Sequence, residues 1–474
     1  MKRKFLSILP YIFISVFCLE IFLTPFGSGD ELWNYNFAKN IAEGLKPYSD
    51  ISMIQTPLSA YVSGAFLKIF GCGMLVYRVV GYLLMVSIFV VLYKLCVETI
   101  QNKLTAFLSV LFLLSLNSLC FIYNYNYLSV FVVLIIMYLE LLNSKSYTGI
   151  RNALIGVLFG LLPLIKQTTG GTLFLLNLCV CIYYIFKKGK TNHLCRAILS
   201  LVPGILYLSY LLISSSFNAF MEYAVLGIGS FTHKDTFLNY ITDSPINFFF
   251  GLIPILILLY IVYSFVVKKD FTALKINYLC ISLIWLIFVT YPLCDSSHLF
   301  VGIIPIIPLF LLIIKNSKSV INIVRSVCFV TVTILVISLL NIISTYPNYV
   351  ISDINNYNGV LMSKVRYEDV KTITKYIDRM EKQGISVYIA DESSAAYTIP
   401  LDKYTKNWDM LLVGNLGSAN IEQLLDVEDN AVFLLLNDQY TPNKQSHFEL
   451  INYIKQNYEC FDKVEYFDVY KRKE

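Results

Sequence analysis

Two adjacent carboxylates, Asp30 and Glu31, are the side chains whose type and placement most favour chemistry. A carboxylate at this kind of position can accept a proton from a hydroxyl group, and Asp30 is the predicted general base. Glu31 has two interpretations that the sequence leaves open. It is either a second site residue or the capping-box partner of Ser28, because acids are also favoured in a first helical turn.

Four basic side chains lie near the ends of apolar segments, where a cationic group could bind an anion such as a phosphate. Each also has a structural interpretation. Arg78 and Lys166 could snorkel from helix ends, His298 could cap a helix, and Lys234 could pair with Asp235.

The segment Tyr123–Tyr127 alternates tyrosine with asparagine. Tyrosine rings stack on sugars and asparagine amides hydrogen-bond to hydroxyl groups, so Tyr123 and Asn124 are candidate substrate-binding residues. An interfacial aromatic belt is the competing interpretation, and the sequence favours it. Because the sequence has no CxxC pair, His-x-x-x-His spacing or glycine-rich phosphate loop, it predicts no metal ligand set.

Membrane helices must position these residues, because the 474-residue chain is 57% hydrophobic and only 15% charged. Segments without charged residues, such as 248–267, can cross roughly 30 Å of hydrocarbon as helices. The apolar N-terminal run exceeds the core of a signal peptide and is interpreted as a retained span. The pattern predicts about eleven transmembrane helices, near residues 5–26, 74–97, 104–122, 127–142, 151–166, 171–186, 195–214, 245–267, 274–292, 298–315 and 320–343.

The distribution of Lys and Arg predicts the orientation of these helices. Most of them fall in one alternate set of loops, which should therefore face the cytoplasm. An odd number of spans then places the C-terminal region outside. The candidate residues collect on the same outer side, in the first outer loop at 27–73 and in the segments 123–127, 166–168, 215–244 and 295–298.

The first outer loop is predicted to contain two juxtamembrane helices. Trp33, Phe37 and Ile41 recur every four residues, so the first helix should lie on the membrane surface or against the spans. A second helix begins with Thr56 as its cap and covers 57–71. It is too short for a span, and we expect a second surface helix.

From about Ser344 onward the composition becomes that of a soluble domain. The sequence thus divides into a transmembrane domain at 1–343 and an extracytoplasmic domain at 344–474, which either selects an acceptor or covers the active face. The domain at 344–474 carries more acidic than basic residues, which disfavours its binding to nucleic acid or anionic lipid. A small α/β unit is predicted, with helices near 367–382 and 447–456 and strands near 387–389, 432–436 and 464–470.

The first outer loop also holds an ordered set of residues. The set comprises Asp30-Glu31, Gly44-x-x-Pro47-Tyr48-x-Asp50, Pro57-Leu58-x-x-Tyr61, Phe70-Gly71 and Arg78. It resembles the first loop of the type C (GT-C fold) glycosyltransferases, specifically the protein O-mannosyltransferase and aminoarabinose transferase-like group. The match covers residues 30–78, and the order of loop, spans and tail is also similar.

The resemblance implies transfer of a sugar from a polyprenyl-phosphate donor, with inversion, to a cell-surface glycan, lipid or protein. It implies Asp30 as the base and places the enzyme in a bacterial cell membrane, in envelope polysaccharide biosynthesis. Some members of the group use a divalent metal ion near the site, the one cofactor implied. Others have a second acid at the outer corner where this chain has Asn124 and Asn126.

The predicted orientation fits this resemblance independently. Nucleotide sugars are confined to the cytoplasm, so an outward-facing transferase needs a donor that a lipid phosphate carries through the membrane. Two other classes stay open, together with a catalytically silent scaffold. A lipid-linked sugar flippase or transporter would place ionisable groups near the midplane and often repeats its halves. A polysaccharide polymerase or ligase would carry paired arginines in a large late outer loop, which this sequence lacks.

Overall fold

Helices dominate the chain, and every described strand lies in its C-terminal part. The computed structural model describes residues 2–27, 29–117, 123–189, 191–227, 236–269, 271–291, 293–412, 415–417, 419–440 and 447–473. The helices are α1 (Lys2–Cys18), α2 (Glu20–Leu23), α3 (Gly29–Ala42), α4 (Leu58–Phe70), α5 (Met74–Ile100), α6 (Lys103–Asn117), α7 (Tyr125–Lys145), α8 (Gly149–Ile165), α9 (Gln167–Lys188), α10 (Asn192–Ile213), α11 (Phe217–Phe220), α12 (Phe237–Asp243), α13 (Pro245–Lys268), α14 (Ala273–Val289), α15 (Ser296–Ile303), α16 (Ile306–Ile314), α17 (Lys318–Thr345), α18 (Lys364–Lys382), α19 (Ala395–Thr398), α20 (Ile421–Leu424) and α21 (Phe448–Asn457). The strands are β1 (Tyr349–Ile351), β2 (Leu361–Ser363), β3 (Val387–Ile389), β4 (Val432–Leu436), β5 (Tyr458–Val464) and β6 (Phe467–Arg472).

Within the described residues, five helices are long and apolar enough to cross a membrane: α5, α7, α9, α10 and α13. A sixth span results if α15 and α16, bent by 43°, are counted as one. Each predicted span coincides in position with a helix or a pair of helices, but several are short. The helix α6 has 15 residues, and α8 and α14 have 17 each. The prediction of a helical membrane protein is thus supported, but the count of about eleven spans is not confirmed.

The chain forms two compact units, and unit 1 consists of Met1–Ile21, Gly81–Ser209 and Lys234–Thr345. Glycine allows close packing of α8 against α10. A Cβ atom on Gly156 would lie 2.4 Å from the carbonyl oxygen of Arg196. One on Gly160 would lie 2.2 Å from that of Ser200. Small residues at this four-residue spacing let helix backbones approach in membranes.

A buried polar junction in unit 1 joins α7, α9 and α10. Arg196 donates from Nη1 to Oε1 of Glu140 and from Nε to Oδ1 of Asn177, both at 2.6 Å. Charged groups are costly among apolar helices unless they are paired, so this contact fixes the three helices relative to one another.

Unit 2 consists of Phe22–Val80, Tyr210–His233 and Tyr346–Glu474, so the first outer loop and the C-terminal region form one body. The sequence predicted that α3 lies either on the membrane surface or against the spans. Residues 31–40 are all buried, which does not fit an exposed surface helix. The apolar stripe is therefore only one of several buried faces of α3. The helices α4 and α19 pack against α3.

The helix α4 keeps the character of a surface helix. Its exposed apolar side chains are Phe66, Ile69 and Phe70. The structure assigns Pro57 to the N-cap position, one residue after the predicted cap Thr56. The chain leaves the helix at Gly71, whose φ of 106° suits glycine.

The C-terminal region contains the predicted small sheet, with strand order β3-β4-β6-β5. The strands β3 and β4 are parallel and the other pairs antiparallel. The bounds of β3 and β4 agree with the predicted segments. The single predicted last strand is instead a hairpin of β5 and β6, because Glu465 adopts a left-handed φ of 49° between them. A separate hairpin pairs β1 with β2.

The sheet domain is held by an apolar core between β4 and α21. Phe433 and Leu435 contribute from the strand, and Leu450 and Ile454 from the helix. Trp408 closes this core from the segment that follows α19. The domain therefore supplies a rigid support for residues 402–409, which contact the first outer loop.

Candidate active site

The acid pair lies in the first turn of α3. Asp30 is half-buried, whereas Glu31 is buried. The backbone carbonyl of Asp30 accepts a hydrogen bond from the Asn34 amide at 2.9 Å. The partly exposed carboxylate at the start of a buried helix is therefore that of Asp30, while the rest of the helix is used for packing.

Glu31 forms a bidentate ion pair with Arg78. The Nε and Nη2 atoms of Arg78 donate to the two carboxylate oxygens at 2.8 and 2.9 Å, and its Nη1 donates to the carbonyl oxygen of Thr24 at 2.7 Å. Both side chains are almost completely buried. This geometry is the strongest form of carboxylate recognition by arginine, and it anchors α3 to the start of α5.

This ion pair bears on two predictions. The carboxylate of Glu31 is bound by Arg78, and the predicted capping box cannot be compared with the structure because Ser28 lies outside the described residues. Arg78 uses all three of its guanidinium nitrogens within the protein. These contacts give Arg78 a structural role, and its predicted contact with phosphate stays a prediction.

The polar residues on the other faces of α3 are bound by the C-terminal region. Asn36 donates to Oδ2 of Asp409 at 2.5 Å, and Asn40 donates to Asn36 at 3.1 Å. Lys39 contacts Oδ1 of Asp402 at 3.1 Å. Burial of these three polar side chains is tolerated because each of them has a partner.

The protein shifts the pKa values of two carboxyl groups in this network in opposite directions. Burial raises the pKa of Asp409 to about 7, and the hydrogen bond from Asn36 only partly opposes that effect. Burial also acts on Asp402, but hydrogen bonds from Asn356 and Lys39 outweigh it and lower the pKa of that carboxyl. The contact between Asn36 and Asp409 is therefore sensitive to pH near neutrality.

The segment before Asp409 binds the turn that follows α3. Lys406 donates to the carbonyl oxygens of Tyr48 and Ser49 at 3.2 and 2.6 Å. The hydroxyl oxygen of Tyr404 accepts from the backbone of Ser52 at 3.2 Å. Sequence reasoning missed these residues. The sequence gives one indication of a buried carboxylate here, because Asp409 lies between apolar residues.

A second cluster lies within unit 1, where α8 ends and α9 begins. The Lys166 Nζ atom donates to Oδ1 of Asn126 at 2.8 Å and lies 5.4 Å from the centroid of the Tyr125 ring. Lys166 is 9% exposed. The structure thus brings together two of the outer segments that the sequence singled out, and it places Lys166 in a cation–π contact.

The neighbouring candidates Tyr123 and Asn124 have structural contacts. Tyr123 is buried, which does not fit an interfacial aromatic belt. Asn124 is the N-cap of α7, and its side-chain oxygen accepts from the backbone of Asn126 and Tyr127 at 2.9 and 3.2 Å. The residue that contacts Lys166 is Asn126, which lies in the same motif.

His298 also has a local role at the start of α15. Asp295 caps this helix by accepting from the backbone of His298 at 2.8 Å and from its Nδ1 at 2.9 Å. Burial raises the pKa of Asp295, but these bonds outweigh it and the pKa is lowered overall. The cap of this helix is thus Asp295, and His298 is the residue that Asp295 binds rather than the cap that the sequence suggested. Lys234 lies outside the described residues.

Among the described residues, no group of three or more His, Cys, Asp or Glu side chains is placed to hold a metal ion. No protein-family model matches the chain, and no curated protein matches it. The structure therefore describes a helical membrane protein with a small C-terminal sheet domain, and its activity has to be inferred from the two clusters.

Proposed function

We propose that this protein is a membrane glycosyltransferase that moves a sugar from a polyprenyl-phosphate donor to a hydroxyl group of an extracytoplasmic glycan, lipid or protein. The observation that carries the proposal is the half-buried carboxylate of Asp30 at the start of a helix fixed by the Glu31–Arg78 pair. A base must be held in a defined position to remove a proton during attack. The resemblance of residues 30–78 to the glycosyltransferase group supports the same role.

In the proposed reaction the Asp30 carboxylate accepts the proton of the acceptor hydroxyl. The hydroxyl oxygen forms a bond to the anomeric carbon as the bond between that carbon and the phosphate oxygen breaks. The electron pair leaves with the polyprenyl phosphate, and the configuration inverts. A fixed carboxylate also stabilises the positive charge that develops on the sugar ring.

Lys166 is the proposed contact for the donor phosphate. An ammonium group near the interface can neutralise the charge that develops on the leaving oxygen. Its hydrogen bond to neutral Asn126 orients it without neutralising it. The Lys166 ammonium also lies over the ring of Tyr125, which holds it at the same place.

A lipid-linked sugar transporter is the second candidate, because charged residues occur among the apolar helices of unit 1. The buried group of Glu140, Asn177 and Arg196 is the specific observation that favours it. In a transporter such residues mark the pathway of the substrate. A paired and hydrogen-bonded group also suits a purely structural junction.

Reconstitution separates the two candidates. Purified full-length protein in liposomes would be given a panel of radiolabelled polyprenyl-phosphate sugars, with and without cell-envelope glycan as acceptor. We expect transfer of label to the acceptor and release of polyprenyl phosphate. Movement of the intact lipid-linked sugar between leaflets without cleavage would establish the transporter instead.

Mass spectrometry of cells with and without the gene identifies the donor. We expect one lipid-linked monosaccharide to accumulate and one glycan side group to disappear. An unchanged profile of lipid-linked sugars and surface glycans, together with no turnover of any donor in liposomes, would refute the proposed function.

A further inference from the structure

Arg366 occupies an unusual electrostatic position at the start of α18. Ser363 caps this 19-residue helix by accepting from the backbone of Arg366 at 3.2 Å. The first turn contains Lys364 and Arg366 and no acidic residue. Because the N-terminus of a helix carries a partial positive charge, two cations there are unfavourable unless an anion is close.

Tyrosine side chains surround the Arg366 guanidinium. Nη1 donates to the hydroxyl oxygen of Tyr397 at 3.0 Å, and the group lies 5.4 Å from the centroid of that ring. Tyr397 and Tyr466 are linked by a hydrogen bond between their hydroxyl groups. These contacts hold the guanidinium in place but leave it charged.

Two buried donors in this cluster have no hydrogen-bond partner among the described residues. One is Nε of Arg366, and the other is the hydroxyl group of Tyr357, whose side chain is 0% exposed. Arg366 and Tyr357 also interact electrostatically. Because leaving a buried donor unsatisfied is costly, both donors are candidates for contact with an external acceptor.

No carboxylate in the described part of the chain neutralises Arg366. Asp369 lies one turn further along α18 and interacts with it electrostatically, but no oxygen of Asp369 lies within 4 Å. By contrast, Arg78 in the same unit has a bidentate carboxylate partner. A largely buried arginine without an acid is an expected recognition element for an external oxyanion.

We propose that Arg366 and Tyr357 bind an oxyanion of the substrate, either the phosphate of the lipid-linked donor or an acidic group of the acceptor. The two named sources rest on the proposed function. The Tyr357 ring lies 6.4 Å from that of Tyr35 on α3, so this site lies beside the helix that carries the acid pair. The charge of Glu31 does not repel the ligand, because Arg78 neutralises it.

The test measures binding to purified full-length protein by calorimetry in detergent. The probes are polyprenyl phosphate, trigalacturonic acid as an acidic oligosaccharide, and the neutral oligosaccharide maltotriose. Arg366→Gln should weaken one acidic probe by about tenfold or more and leave maltotriose unchanged. Loss of polyprenyl phosphate binding assigns the site to the donor, and loss of trigalacturonic acid binding assigns it to the acceptor.

Two further variants keep the test sharp. Tyr357→Phe removes one hydroxyl group from an otherwise intact ring and should weaken the same probe several-fold. Arg379→Gln removes an exposed arginine from the same helix and should have no effect. Unchanged affinity of Arg366→Gln and Tyr357→Phe for both acidic probes would overturn the site. Because these are binding measurements, they stand even if the protein transfers no sugar.

Discussion

The two buried glutamate–arginine pairs hold their helices in different ways. In unit 2, Arg78 donates hydrogen bonds to both carboxylate oxygens of Glu31, whose side chain is 4% exposed. In unit 1, Arg196 uses one nitrogen for Glu140, which is 12% exposed, and another for Asn177. The first pair fixes α3, the helix that carries the candidate base Asp30. The second pair, together with Asn177, joins α7, α9 and α10.

The comparison separates structural cations from candidate functional ones. Arg78 and Arg196 each have a carboxylate within the protein. The contacts of Arg366 are with tyrosines, and no carboxylate among the described residues pairs with it. Ion pairing, rather than residue type, therefore decides which of these arginines has charge left for a ligand.

Removing the arginine of each pair tests this comparison with the largest expected effect. Arg78→Gln should lower the free energy of unfolding by about 3–5 kcal/mol, because it leaves the Glu31 carboxylate buried and unpaired. Arg196→Gln should cost less, since Glu140 is more exposed. Unfolding in detergent would be followed by intrinsic fluorescence.

A double variant supplies the control. Glu31→Gln combined with Arg78→Gln removes both charges and should recover part of the stability lost in Arg78→Gln. An unchanged unfolding midpoint for Arg78→Gln would show that the ion pair does not anchor α3.

Asp409 extends the comparison to a buried carboxyl that has an amide, not an arginine, as its partner. Its pKa is raised from 3.8 to about 7, so the folded state binds the proton more tightly than the unfolded state. Its contribution to stability is full below about pH 4 and is lost as the pH rises through about 7, on the order of a few kcal/mol in total.

The measurement is the unfolding free energy of wild type and Asp409→Asn between pH 4 and pH 8. Relative to the variant, the wild type should lose stability steadily with rising pH up to about pH 7. Parallel pH profiles for the two proteins would show that Asp409 keeps an ordinary pKa.

Gly156→Ala sharpens the comparison from the side of unit 1. The added methyl group would meet the backbone carbonyl of Arg196 at 2.4 Å, and backbone cannot rotate away. We expect a loss of about 1–3 kcal/mol as α8 and α10 separate. Gly204→Ala on α10 is the matched control, because nothing lies within 4 Å of its Cβ position. Equal melting temperatures of the two variants would argue against close packing at Gly156.

Lys166→Gln tests the proposed contact between Lys166 and the donor phosphate, and it has the smallest expected effect of these substitutions. It should raise the donor KM by roughly tenfold without changing the melting temperature, because one charge-assisted contact to phosphate is lost. Lys187→Gln removes an exposed lysine from the other end of α9 as a control. Normal KM in Lys166→Gln would assign Lys166 to a structural role and leave Arg366 as the phosphate contact.

Periodicity predicted the positions of the helices well, because a long apolar run has few alternatives to a buried helix. The strands β3 and β4 were equally clear, since each is a short apolar segment between polar ones. The hairpin of β5 and β6 was not, because charged residues hide its alternation. The length of each helix was harder to predict than its position, because the ends of a helix depend on the neighbouring helices that pack against it.

The site was predictable only in part. The sequence suggested Asp30 as a candidate, but it could not show which residues pack around it. Glu31 and Arg78 are 47 positions apart, and Asn36 and Asp409 are 373 apart. Such partners are set by tertiary packing, and the nearby Ser28 offered a simpler local explanation for Glu31. The same difficulty hid Arg366, whose distinguishing property is the absence of an acid within 4 Å among the described residues.

Asp30→Asn tests the central claim most directly. The substitution preserves size and removes the basic carboxylate, so transfer from a polyprenyl-phosphate sugar should fall by at least roughly a hundredfold at unchanged melting temperature. Glu31→Gln is the contrast, since it should lower stability by breaking the pair with Arg78, and Asp426→Asn controls for loss of an exposed acid. Near-normal transfer by well-folded Asp30→Asn protein would contradict the assignment of Asp30 as the base.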